Sequence, residues 1–143
     1  MTLQDKNSPK THESIPLKEL VNYLIEIYQP VAVKQNCFII NDVPESFSVT
    51  TDETLLASLS CGLFSAILSR SRNSCIRVSA RLHNNVVLLN IWTNDGGDFF
   101  QSVCSIQEIK ALAEKLGGCV SLNHMRKTSN TITISFINLS AAA

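Results

Sequence analysis

The order of apolar patterns along this chain predicts an α/β (α+β) two-layer sandwich, a mixed β-sheet with three helices on one face. Three stretches place apolar residues at steps of three and four, the period of a helix buried along one side. Two later pairs of stretches alternate or run apolar and are joined by short polar turns, which marks β-hairpins. Two short apolar segments lie between the first and second helices, so the order reads helix, two strands, helix, hairpin, helix, hairpin. With 143 residues, 45% of them hydrophobic, the chain can bury one sizeable core in a single domain.

Residues 1–14 are polar and contain Pro9, and are expected to form a flexible leader. The domain is expected over 15–139, with 140–143 as a tail. Its first helix follows Pro16, carries Leu17, Leu20, Val21, Leu24, Ile25 and Tyr28, and is expected to end at Pro30. A proline disfavours helical backbone in the residue before it and donates no N–H of its own. Cys37 to Ile40 and Phe47 to Thr50 read as short strands around the turn residues Asn41, Asp42 and Pro44.

The chain is organised around the stretch from Thr50 to Ala66. Thr50 and Glu53 have the spacing of a capping box. Leu55, Leu56, Leu59, Leu63, Ala66 and Ile67 then form an apolar stripe. On the other side Ser58, Cys61, Gly62, Ser65 and Ser69 fall within about 100° of one another at 3.6 residues per turn. Small side chains in that pattern serve either close helix packing or the floor of a ligand site.

A hairpin comes next: Ile76, Val78, Ala80 and Leu82 alternate with polar residues, His83-Asn84-Asn85 turns the chain, and VVLLNIWT returns with both faces largely apolar, as in a central strand. Asn94 to Asp98 is rich in turn residues and is expected to be a loop. Ser105 and Glu108 again have capping-box spacing, ahead of Ile106, Ile109, Leu112, Ala113 and Leu116, and Gly117-Gly118 supplies a left-handed helix stop. Cys119 to His124 and Thr131 to Ile137 form the last strand pair, with Ile132, Ile134 and Phe136 on one face.

Composition narrows the function classes. Lys plus Arg and Asp plus Glu both number 12, so the net charge is zero and nucleic acid is a poor partner. The five cysteines are odd in number and form no CxxC motif, which argues against a disulfide framework or a zinc knuckle and favours a reducing, cytoplasmic setting. No apolar run is long enough for membrane insertion. His83 and His124 have no nucleophile or carboxylate at a recognisable spacing and read as turn or surface residues.

From about residue 16 to 139 the chain resembles the ATP-binding catalytic domain of two-component sensor histidine kinases, of the Bergerat-type group. TDETLLASLSCGLFSA is similar to the family's asparagine-bearing helix, with the N-box slot on Ser65 and an earlier asparagine slot on Cys61. LLNIWTNDGG resembles the strand and D-box, with Asn94 or Asp95 in the aspartate slot, followed by Gly96 and Gly97. SIQEIKALAEKLGGCVSLNH resembles the helix after the G2 box, whose glycine slots fall on Val103 and Ser105. The resemblance implies ATP with magnesium as cofactor, histidine kinase activity, and a response regulator, another histidine kinase or a second copy as partner. It implies magnesium ligation at Ser65 and adenine recognition at Asn94 or Asp95.

The departures all point one way. Ser65 offers a shorter hydroxyl where the family has an amide oxygen, and magnesium wants oxygen ligands held near the phosphates. An asparagine at 94 accepts without charge assistance. Branched Val103 cannot take the positive φ that a phosphate-cradling glycine turn uses. Only about five residues separate Asp98 from the next helix, too few for the family's lid. His12-Glu13 is one residue short of the family's phospho-accepting motif. Arg70 and Arg72 are candidate anion contacts, and no residue qualifies as catalytic. The expectation is a degenerate module with weak or no ATP binding that signals by protein contact; the alternative is a divergent but working ATP-binding domain.

Overall fold

Leu56, Leu59, Leu63 and Ile67 recur on one side of a helix and all four are sealed from solvent. They sit at the centre of a computed structural model that describes residues 14–94, 103, 106–125 and 129–139. The elements run β1 (Ser14–Pro16), α1 (Leu17–Lys34), β2 (Phe38–Asn41), β3 (Ser48–Thr50), α2 (Glu53–Leu68), β4 (Cys75–His83), β5 (Val86–Thr93), α3 (Gln107–Lys115), β6 (Cys119–Met125) and β7 (Ser129–Ile137). The main sheet has the order β2-β4-β5-β7-β6. β2 pairs parallel with β4 and the other neighbours are antiparallel, so the sheet is mixed as expected.

Alternate residues of the sheet build the floor of the core. Ile76 and Val78 of β4, Val87, Leu89 and Ile91 of β5, and Ile132, Ile134 and Phe136 of β7 are buried on the side that carries the helices. β5 lies between β4 and β7, which explains why its other face is also half-covered. The β4–β5 turn falls at Asn84-Asn85, with Asn84 at φ 57°, a left-handed value that asparagine tolerates better than most residues.

Three expectations change. α1 runs through Pro30 to Lys34 rather than stopping. Pro30 is exposed and removes one backbone donor, while the next turn buries Ala32 and anchors Cys37 through an N–H bond to the Ala32 carbonyl of 2.8 Å. Tertiary packing outweighs the local penalty. β3 does not join the main sheet but pairs antiparallel with β1, a strand not expected at all, so Ser14 belongs to the domain rather than to the leader. Thr50 is a strand residue whose N–H donates to Asn138 Oδ1 at 2.9 Å; the cap of α2 is Asp52, whose Oδ1 accepts from Leu55 N at 3.1 Å.

The end of α3 follows the sequence closely. Gly117 has φ +85°, the left-handed conformation that terminates a helix. A β-carbon on Gly118 would fall inside the carbonyl group of Ser135, so the pair is required for two separate reasons: one for backbone angle, one for the approach of β7. The start of α3 differs. Ile106 occupies the cap position with no side-chain bond, and Ser105 lies outside the described residues.

Candidate functional site

The small-residue side of α2 faces α3, and between them lies an open groove of about 320 Å³. Ser58, Gly62, Ser65 and Ser69 form one wall; Ile106, Glu108, Ile109 and Leu112 form the other. A β-carbon added to Gly62 would lie 3.8 Å from Ile109 Cγ1, an ordinary van der Waals contact. Close packing therefore does not demand glycine there. The small side chains leave a groove open beside the line along which α2 and α3 pack.

Ser65 is exposed in this groove beside Ala66, where the resemblance places the N-box. Cys61, one turn earlier, is separated from it: its carbonyl accepts from the Tyr28 hydroxyl of α1 at 3.1 Å, and it packs against the core. Burial raises the Tyr28 phenol above its ordinary pKa, and the Cys61 thiol adds to the shift through charge and hydrogen bonding. Cys61 thus belongs to the α1–α2 seam.

Asn94 stands at the end of β5. Its Oδ1 accepts from Cys75 N at 3.0 Å and its own N–H reaches Cys75 O at 3.4 Å, so the side chain closes the β4–β5 ladder. Asp95, Gly96, Gly97 and Ser105 lie outside the described residues. Val103 has 0% exposure and belongs to the hydrophobic core, while its carbonyl accepts from Ile106 N at 3.2 Å, at the rim of the groove wall.

Arg70 and Arg72 follow the C-terminal end of α2 and do not line the groove. Arg72 Nη1 donates to Gln35 Oε1 at 3.0 Å, and Gln35 Nε2 donates to the carbonyls of Leu68 and Ser71, both at 3.1 Å. Cations at a helix C-terminus complement its partial negative charge, so this cluster stabilises the end of α2. The groove residue that the sequence reading assigned elsewhere is Glu108, expected as a capping-box partner. Among the described residues it is the only charged side chain on either wall. Its position one residue before Ile109, on the face that carries Leu112, was the available signal.

Among the described residues, Cys37, Cys61, Cys75 and Cys119 are free thiols. No described helix is long and apolar enough to cross a membrane.

No family model and no curated protein matches the sequence. Solved structures do match. The catalytic domain of the histidine kinase ThkA superposes with a TM-score of 0.70 at 15% identity, covering 90% of this chain and 96% of that one. The histidine kinase AdeS of Acinetobacter baumannii gives 0.72 at 14%, covering 94% and 72%. ThkA in complex with the response regulator protein TrrA gives 0.74 at 14%, covering 92% and 43%. The chain therefore has the fold of the sensor histidine kinase catalytic domain.

Proposed function

We propose that this chain is a degenerate histidine-kinase-type ATPase domain that works as a signalling and protein-interaction module with weak or no ATP binding. The observation that carries this reading is Val103. A slot that resembles a family glycine holds a branched side chain with no exposed surface, packed into the core. A phosphate cradle needs backbone N–H groups turned toward the ligand. A buried valine instead ties that segment to the interior.

The groove chemistry agrees. Among the described residues its one charged side chain is the carboxylate of Glu108, which repels a polyphosphate, and none of them brings a lysine or arginine to either wall. Ser65 supplies a single neutral oxygen, and the amide oxygen of Asn94 is already used by Cys75. The described residues do not fit a magnesium-bound nucleotide.

The work left to the domain is contact. ThkA, which shares the fold, is seen with a response regulator. By extension this chain, in the cytoplasm, docks a response regulator or a histidine kinase.

Isothermal titration with ATP and with ADP, each with and without magnesium, tests the reading. The expected result is no heat and no change in melting temperature at millimolar nucleotide. Saturable binding tighter than about 100 μM, roughly 5.5 kcal/mol, overturns it. That outcome selects the second reading, a divergent but functional ATP-binding domain. The size of the groove beside Ser65 and the Asp95-Gly96-Gly97 segment of the sequence favour that alternative.

A further inference from the structure

Helix α1 carries two apolar faces, and the domain uses one. Leu17, Val21, Leu24 and Ala32 are buried against the core. Leu20, Tyr23, Ile27, Pro30, Val31 and Lys34 lie on an adjoining face, within about 100° at 3.6 residues per turn. The steps from 20 to 23, 27, 30 and 34 alternate three and four, the seam spacing of paired helices. Leu20 is partly buried at the edge of this face, while Tyr23 is 61% exposed, Ile27 46% and Val31 40%. Three consecutive large apolar residues along an exposed seam exceed what scattered surface hydrophobics require.

The charges on the same helix indicate what covers it. Glu19 lies in the first turn and Lys34 in the last. Arg77–Asp42 is the one ion pair among the described residues, so neither Glu19 nor Lys34 is paired there. Two copies of α1 laid antiparallel about Ile27 bring each Glu19 beside the other copy's Lys34. The same arrangement sets Tyr23 across from Val31 and Ile27 across from itself. Their helix dipoles then oppose, which is favourable.

We propose that the exposed face of α1 is the seam of a two-fold symmetric homodimer, antiparallel and centred on Ile27. An isologous contact of this kind closes on itself and needs no other subunit. The 18 residues of α1 span about 27 Å. A single helix pair of that length is small beside the ~1,600 Å² typical of stable complexes, so the dimer is a transient one. It does not depend on the state of the nucleotide groove.

Sedimentation equilibrium of the purified chain under reducing conditions, from about 10 μM to 1 mM, tests this. Wild type is expected to shift from monomer to dimer across that range. Ile27→Glu is expected to remain monomeric. Glu19→Lys and Lys34→Glu should each weaken association roughly tenfold, and the two together should restore it to within about threefold of wild type. All three positions are solvent-facing, and far-UV circular dichroism confirms that each of the four variants is folded. A wild type that stays monomeric throughout overturns the proposal, as does a double variant no better than either single one. Neither readout involves nucleotide, so failure here leaves the groove reading standing, and the reverse holds.

Discussion

The phenol of Tyr28 donates a 3.1 Å hydrogen bond to the backbone carbonyl of Cys61, joining the middle of α1 to the middle of α2. The Tyr28 ring also lies 6.1 Å from that of Phe64, tilted by 33°. The acceptor is the backbone carbonyl at 61, so the bond joins α1 to α2 whatever side chain stands in this slot.

Tyr28→Phe removes this bond without changing the ring. The loss is expected to be about 0.5–1 kcal/mol, a fall in melting temperature of a few degrees. The phenol's pKa is raised above 10.0, mainly by burial, so the folded state favours the protonated form. Its contribution is fully present below the unfolded pKa and is lost as pH rises through the folded one. Wild type should therefore lose stability faster than Tyr28→Phe above about pH 10. Melting curves from neutral to alkaline pH that run parallel for the two proteins would contradict this assignment.

The glycines separate backbone necessity from open space. Gly118→Ala places a β-carbon inside the Ser135 carbonyl group, and β7 must move to admit it. Gly117→Ala meets Ile137 Cγ1 at 2.7 Å and holds alanine at φ +85°. We expect Gly118→Ala to abolish cooperative folding or to cost more than about 3 kcal/mol, and Gly117→Ala to cost about 1–2 kcal/mol. Gly62→Ala should stabilise by about 0.5–1 kcal/mol, because it lies within a helix and its β-carbon reaches only ordinary contact. Urea denaturation of the three variants gives the ranking, and a destabilised Gly62→Ala would show that α2 and α3 pack more tightly than the groove implies.

Much of this fold is legible in the residues because local and global preferences agree. The β4–β5 turn at Asn84-Asn85, the buried stripe Leu56-Leu59-Leu63-Ile67 and the stop at Gly117-Gly118 each rest on one local rule that tertiary packing does not oppose. Pro30 was misleading because its penalty is local while the gain, burial of Ala32, comes from a distant part of the chain. β1 and β3 are three residues each and too short to carry a period. At the site, the small-residue face of α2 was readable, but which neighbour it faces is a tertiary fact. Helical spacing alone grouped Cys61 with Ser65, and only the position of Tyr28 separates them. The Gln35–Arg72 bond spans 37 residues of sequence and has no local signature.

The cap of α2 gives a direct test of one such correction. Asp52 Oδ1 accepts from Leu55 N, whereas Thr50 meets Asn138 through its backbone N–H, which any residue retains. Asp52→Ala is expected to cost about 1 kcal/mol, within the range for lost N-caps. Thr50→Ala should cost clearly less. Equal losses in thermal melts would return the cap to Thr50.

Val103 links the fold to the proposed loss of nucleotide binding, and restoring the family residue tests both. Val103→Gly empties a fully buried site and adds backbone freedom, so we expect a loss of about 3 kcal/mol. Combining it with Ser65→Asn and Ser105→Gly rebuilds three of the slots that resemble the family's. Glu108 still faces the groove in that variant, and neither wall gains a cation. Calorimetric titration with magnesium-ATP is therefore expected to show no saturable binding, at a temperature where circular dichroism reports a folded domain. Binding in the micromolar range would mean that the three side chains alone had closed the site. In that event Val103 is a late change in an otherwise intact nucleotide pocket, and the interaction-module reading loses its main support.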